Sequence, residues 1–163
     1  AHAQRGYPAQ LSDDAGEIRE EFRSFFASGT GLQEMYITPQ KMTEENWDDL
    51  AEAIRWSHAN ADVLIDTHWV GGDPGKGEVY GWASWSKRKG ILALRNPSDK
   101  AAKIAIDVDK AFELPAGAAR RYALKRPWKN EADQAVVVLE AGKKHTFALP
   151  PFSVLVYDAT PKR

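Results

Sequence analysis

Asp66-Thr-His-Trp-Val-Gly-Gly-Asp-Pro-Gly-Lys-Gly-Glu-Val-Tyr-Gly-Trp-Ala-Ser-Trp85 is the stretch where the chain changes its period. Upstream, the pattern reads helix, strand, helix, strand. Downstream, from Glu78, apolar residues recur at every second position in one short run after another, to the end of the chain. The joint itself is dense in residues that binding sites use: carboxylates, one His, three Trp, one Tyr and five Gly.

On the upstream side, Asp14 stands three residues before Glu17, a cap-like pairing at a helix start. Ile18, Phe22, Phe25 and Phe26 follow on one helical stripe, and Ser28-Gly29 ends it. Leu32 to Ile37 reads as a short strand stopped by Thr38-Pro39. Thr43 caps a second helix, with Glu44 and Glu45 at its positive end. Trp47, Leu50, Ala51 and Ile54 form its stripe, and Trp56 falls on the opposite face, so a second layer covers it or it is exposed. Asn60 is the stop, and Asp62 to Asp66 reads as a buried strand. Two such strands cannot close a barrel, and two helices cannot cover an open sheet. This segment therefore docks onto the downstream strands or belongs to a larger body.

On the downstream side, strands are expected at Val79–Trp85, Gly90–Arg95, Lys103–Val108, Arg121–Lys125, Ala135–Leu139, Thr146–Leu149 and Val154–Tyr157. Short strands at this spacing predict an antiparallel sandwich. The fold class is thus α+β: an N-terminal α/β segment over residues 1–75 and an antiparallel β-sandwich over 76–163. Residues 1–11 read as an arm or linker.

The bulk properties narrow the partners. With 163 residues and 43% hydrophobic content, the chain can bury a core. Its 22 basic and 23 acidic residues leave a net charge of -1, so no field of one sign attracts nucleic acid or an anionic membrane. No apolar run approaches the length of a membrane span. The absence of cysteine excludes disulfides and thiolate chemistry. Gly71-Gly-Asp-Pro-Gly-Lys-Gly77 lacks the Ser/Thr and the helix of a phosphate-binding loop. No cofactor and no metal site are expected.

Asp66, at a predicted strand end, is followed closely by His68, Trp69 and Asp73. Together they suit a small polar ligand or sugar, with carboxylates on hydroxyls and Trp stacked on a ring. The plainer reading is a capping Asp and a Trp that plugs a seam. Glu34 and Asp66 are the one pair that could act as general acid and base. Trp82 and Trp85 are on opposite faces of their strand, one entering the core. Trp128, beside Pro127 and among Lys125, Arg126 and Lys129, is the candidate exposed aromatic.

The joint and its flanks resemble the C-terminal end of a glycoside hydrolase of the α-galactosidase-like clan, and also large secreted enterotoxin-like glycosyl hydrolases. In that resemblance Leu32–Pro39 is the penultimate strand of a (β/α)8 barrel, Trp47–His58 its helix, Val63–Trp69 the last barrel strand and Gly72-Asp-Pro-Gly the exit loop. Glu78–Trp85 and Gly90–Pro97 resemble the opening sandwich strands. The resemblance implies a catalytic carboxylate pair on earlier strands, outside this chain, so no residue here is assigned a catalytic role. Asp66, His68 and Trp69 would line the pocket. The implied function is an accessory region of a carbohydrate-active enzyme, secreted or periplasmic. Its implied partners are carbohydrate, the rest of the barrel, and a second copy through a barrel-facing surface. A stand-alone carbohydrate-binding module, a small glycosidase using Asp66 and a structural interaction domain are the alternatives.

Overall fold

The computed structural model describes residues 15–31 and 33–162. The arm over residues 1–11, the cap at Asp14 and Leu32 lie outside them. Among the described residues, four α-helices and eight strands run in the order α1 (Ala15–Phe26), α2 (Glu44–Ala59), α3 (Ala61–Leu64), β1 (Thr67–Gly71), β2 (Tyr80–Trp85), β3 (Gly90–Arg95), β4 (Ala102–Ile106), α4 (Val108–Ala111), β5 (Arg121–Lys125), β6 (Val137–Glu140), β7 (His145–Leu149) and β8 (Val154–Pro161). The strands form a six-stranded sheet, β1-β2-β3-β8-β5-β6, and a two-stranded sheet, β4-β7, all antiparallel.

Three layers result. One face of the large sheet presents Ala83, Leu92, Leu94, Tyr122, Leu124 and Tyr157 to Ile106, Phe147 and Leu149 of the small sheet and to Phe112 beyond α4. The other face presents Ile91, Ala93, Val154 and Val156 to Ala27, Trp56, Val63 and Leu64 of the helical layer. The central strand β3 is covered on both faces, which is why Ile91-Leu-Ala-Leu94 is apolar without alternation. A third cluster binds α1 to α2 through Ile18, Phe22, Phe26, Leu50 and Ala53.

Local sequence explains much of the helical layer. Thr43 accepts from the Asn46 N–H while the Asn46 side chain accepts from the Thr43 N–H, a reciprocal cap. The buried side of α2 is Asn46, Leu50, Ala53, Trp56 and Ser57; of the expected stripe it keeps Leu50, with Ile54 packed at its margin, and loses Trp47. Trp47 is partly open, and Trp56 is the residue covered by a second layer. Its indole N–H donates to Asp158 of β8 at 3.2 Å. On β2, Trp85 packs toward the sandwich core and donates to the Tyr122 hydroxyl at 2.9 Å, whereas Trp82 faces the helical side.

Two expected strands are absent. Residues 33–38 carry no regular secondary structure and pair with no described strand, and Asp62–Asp66 is not a strand: Ala61–Leu64 is a helical turn. A strand needs at least one ladder partner, and no described strand pairs with either segment. The Asp62 segment instead satisfies its backbone within one turn, with the Val63 and Leu64 N–H groups both on the Asn60 carbonyl at 2.9 Å. Val63 and Leu64 are buried, and Ile65 is left 77% exposed. The strand of this region begins at Thr67 and pairs antiparallel with β2, not as the end of a parallel barrel.

Gly81 marks the tightest strand approach. A Cβ there would stand 1.9 Å from the Ala93 carbonyl oxygen and 2.9 Å from Leu94 Cα. Gly81→Ala is therefore expected to prise β2 from β3 and to destabilise the protein by about 3 kcal/mol, read from the urea midpoint. An unchanged midpoint would show that the two strands separate freely.

Candidate functional site

β1 is an edge strand, so its alternate side chains reach two different surfaces. On the sandwich side, opposite Ala83, stands His68. Its Nε2 lies 3.2 Å from an Asp66 oxygen and its Nδ1 lies 3.3 Å from a Glu113 oxygen. The imidazole thus ties the edge strand to the loop after α4. Glu113 holds φ at 46°, a left-handed conformation uncommon outside glycine. It was not foreseeable, because nothing in the sequence links it to His68.

On the helical side of the same strand, Trp69 is opposite Trp82. Its ring stacks on Tyr80, centroids 4.9 Å apart and planes 8° apart, and meets Trp82 edge-on at 6.1 Å. Tyr80 and Trp82 are in edge contact at 5.5 Å. Trp69 remains 52% exposed. Burial pushes the Tyr80 phenol up, opposed by Arg95 and reinforced by Glu21. Arg95 and Glu21 form an ion pair between β3 and α1. The positions of Tyr80 and Trp82, two apart on the strand after the joint, are the sequence signal for this trio.

The other expected residues are elsewhere. Asp73 organises the β1–β2 connection: its carboxylate accepts from the Gly75 N–H at 2.8 Å and lies 3.7 Å from Lys76. Its own N–H donates to Glu78 at 2.8 Å. Trp128, expected to be exposed, is 1% exposed. It packs beneath the helical layer at 5.2 Å from Trp56, with the Arg23 guanidinium 4.8 Å from its ring centre. Arg126, one of the cations that suggested an open surface, turns inward to Glu131 at 2.6 Å. Glu34 accepts from the Tyr36 hydroxyl at 3.1 Å, while Asp66 is engaged with His68.

A flat aromatic surface backed by a second ring suits the C–H face of a sugar. Among the described residues no group of three or more His, Cys, Asp or Glu is placed to hold a metal. No described helix is long and apolar enough to cross a membrane.

No protein-family model matches the sequence, and no curated protein does. Solved structures do match the fold. An α-galactosidase from Saccharomyces cerevisiae is 12% identical with a TM-score of 0.65, covering 94% of this chain and 45% of its own. The α-galactosidase I of Mortierella vinacea is 14% identical at 0.62, covering 97% and 39%. A GH27 β-L-arabinopyranosidase from Geobacillus stearothermophilus is 13% identical at 0.56, covering 94% and 31%. The chain thus spans less than half the length of these proteins, and what it shares with them is the fold of a C-terminal antiparallel β-sandwich, here carrying a helical layer.

Proposed function

We propose that this chain is the C-terminal accessory region of a glycoside hydrolase, supporting a barrel that carries the catalytic carboxylates, and that it contacts glycan weakly through Trp69. The carrying observation is the fold match over nearly all of this chain but under half of three glycosidases. In this reading the helical layer from α1 to α3 adjoins the barrel, and the sheets from β1 onward form the supporting domain. The engagement of Asp73 by its own turn supports a structural role for it.

Hydrolysis of a panel of aryl glycosides tests this directly. This chain alone is expected to be inactive, and the full-length product of its coding sequence active. Turnover by the chain alone, abolished in Asp66→Asn, would sink the accessory reading in favour of a small glycosidase.

The glycan contact has its own test. Trp69→Ala is expected to abolish retardation in polysaccharide affinity gels while costing about 1 kcal/mol of stability, the stacking lost on Tyr80. Equal retardation of variant and parent would exclude Trp69 as the platform. A purified chain that dimerises and loses retardation on dimerising would assign the same face to a second copy.

A further inference from the structure

β6 closes one end of the large sheet and pairs, among the described strands, with β5 alone. The phase of that ladder is fixed at its end, where the Ala141 N–H donates to the Arg120 carbonyl at 2.8 Å. Alternation from there turns the backbone groups of Val137 and Leu139 toward β5 and those of Val138 and Glu140 away from it. The side chains divide in the same way. Val137 and Leu139 belong to the sandwich core, whereas Val138 is 45% exposed and Val136, just ahead of the strand, is 52% exposed. An uncharged edge with outward N–H and C=O groups is a template for another strand.

The flanks of this edge carry opposite signs. Asp133 stands ahead of it, and Lys143 and Lys144 follow it, with no charge between Ala135 and Leu139. Lys143 is paired with Glu140 at 2.5 Å, while Asp133 and Lys144 join no ion pair among the described residues. Val138, Glu140, Lys143, Lys144 and His145 also line a shallow cleft beside the strand, which suits an acidic neighbour. An acidic end, an apolar middle and a basic end are complementary to a reversed copy of themselves. A parallel copy would set like charges together.

We propose that β6 is the contact surface for a second copy of this chain, the two β6 strands pairing antiparallel about a two-fold axis at Val138, with Asp133 of each copy beside Lys144 of the other. In this register the outward groups of Val138 bond Val138 of the second copy, and Val137 lies opposite Leu139, so both sandwich cores extend across the join. Two six-stranded sheets become one. The contact does not rest on the accessory-region reading, and it leaves the Trp69 surface open, because β1 is the opposite edge of the sheet.

Sedimentation velocity on the purified chain tests this. A reversible dimer is expected, its share rising with concentration. Val138→Lys sets two ammonium groups opposite each other on the axis and is expected to weaken the dimer about tenfold or more. Asp133→Lys should weaken it too, and combining Asp133→Lys with Lys144→Asp, which exchanges the two ends, should restore it. Both of these positions are exposed, so they carry the test should Val138→Lys not fold. In amide exchange, Val138 is expected to slow as the dimer forms, while Leu139, bonded to β5, stays unchanged. A chain that remains monomeric up to about 1 mM overturns the inference. So does a dimer indifferent to Val138→Lys, or one that Asp133→Lys weakens and the exchanged pair does not restore. A dimer lost in Trp69→Ala and kept in Val138→Lys also overturns it, and places the second copy on the β1 edge.

Discussion

Trp128→Ala is expected to cost about 3–5 kcal/mol of unfolding free energy, the range for removing a buried large aromatic. The ring is 1% exposed and is in contact with Trp56 of α2 on one side and with Arg23 of α1 on the other. Its removal leaves a hole where the β5–β6 connection meets both helices, and the rigid sheet beneath cannot collapse into it. Trp128→Phe should lose much less. The indole N–H has no hydrogen-bond partner among the described residues, so the smaller ring gives up packing but no polar contact. Urea denaturation followed by circular dichroism reads both. An alanine variant as stable as its parent would mean that the helical layer is held without this contact. Equal losses for alanine and phenylalanine would mean that the part of the indole that a phenyl ring cannot fill carries the packing.

Trp128 also shows where sequence reading stops. Flanked by Lys125, Arg126 and Lys129, it has the local composition of an open surface. The contacts that bury it come from α1 and α2, far earlier in the chain, and nothing local to residue 128 encodes them. The downstream strands were legible because period two is a local property. Gly90–Arg95 matches its expected limits, and Trp82 and Trp85 separate onto the faces their parity requires. The reciprocal cap at Thr43 was legible for the same reason. Val63-Leu-Ile65 was not, because so short an apolar run has no period. A helical turn buries Val63 and Leu64 and leaves Ile65 outside, and with no strand to pair with, the segment closes its backbone bonds within the turn. At the candidate site, the sequence identified Asp66, His68 and Trp69 as a group. It could not show that alternation along β1 sends His68 to one surface and Trp69 to the other, nor supply Glu113.

The same three-layer arrangement makes Arg23 the most consequential polar residue. It is 2% exposed and bridges α1 to the 126–131 loop, donating to Glu131 at 3.0 Å and to Asn130 at 2.7 Å, with Glu20 at 3.4 Å. Glu131 in turn holds Arg126, and Glu20 accepts from the Val154 N–H of β8 at 2.8 Å. Burial lowers the Arg23 pKa and raises that of Glu20, while Arg23 and the Val154 N–H pull Glu20 back down. Arg23→Ala is expected to cost about 3 kcal/mol at pH 7, because it leaves the largely buried Glu20 charge without its cation and removes the link to Glu131. The pH dependence follows from the raised pKa of Glu20. Such a carboxyl favours the folded state below its unfolded value and loses that contribution as pH rises through the folded one. Without Arg23 the folded value rises further, so the deficit should be largest near neutrality and shrink toward acid as Glu20 takes up its proton. Glu20→Gln keeps an acceptor for Val154 and removes the buried charge. It should change stability at pH 7 by no more than about 1 kcal/mol and should recover part of the loss when combined with Arg23→Ala. A double-mutant cycle at two pH values reads the coupling. A deficit in Arg23→Ala that is the same at acid and neutral pH, with no rescue by Glu20→Gln, would place the cost in lost packing on Trp128 and not in the ion network.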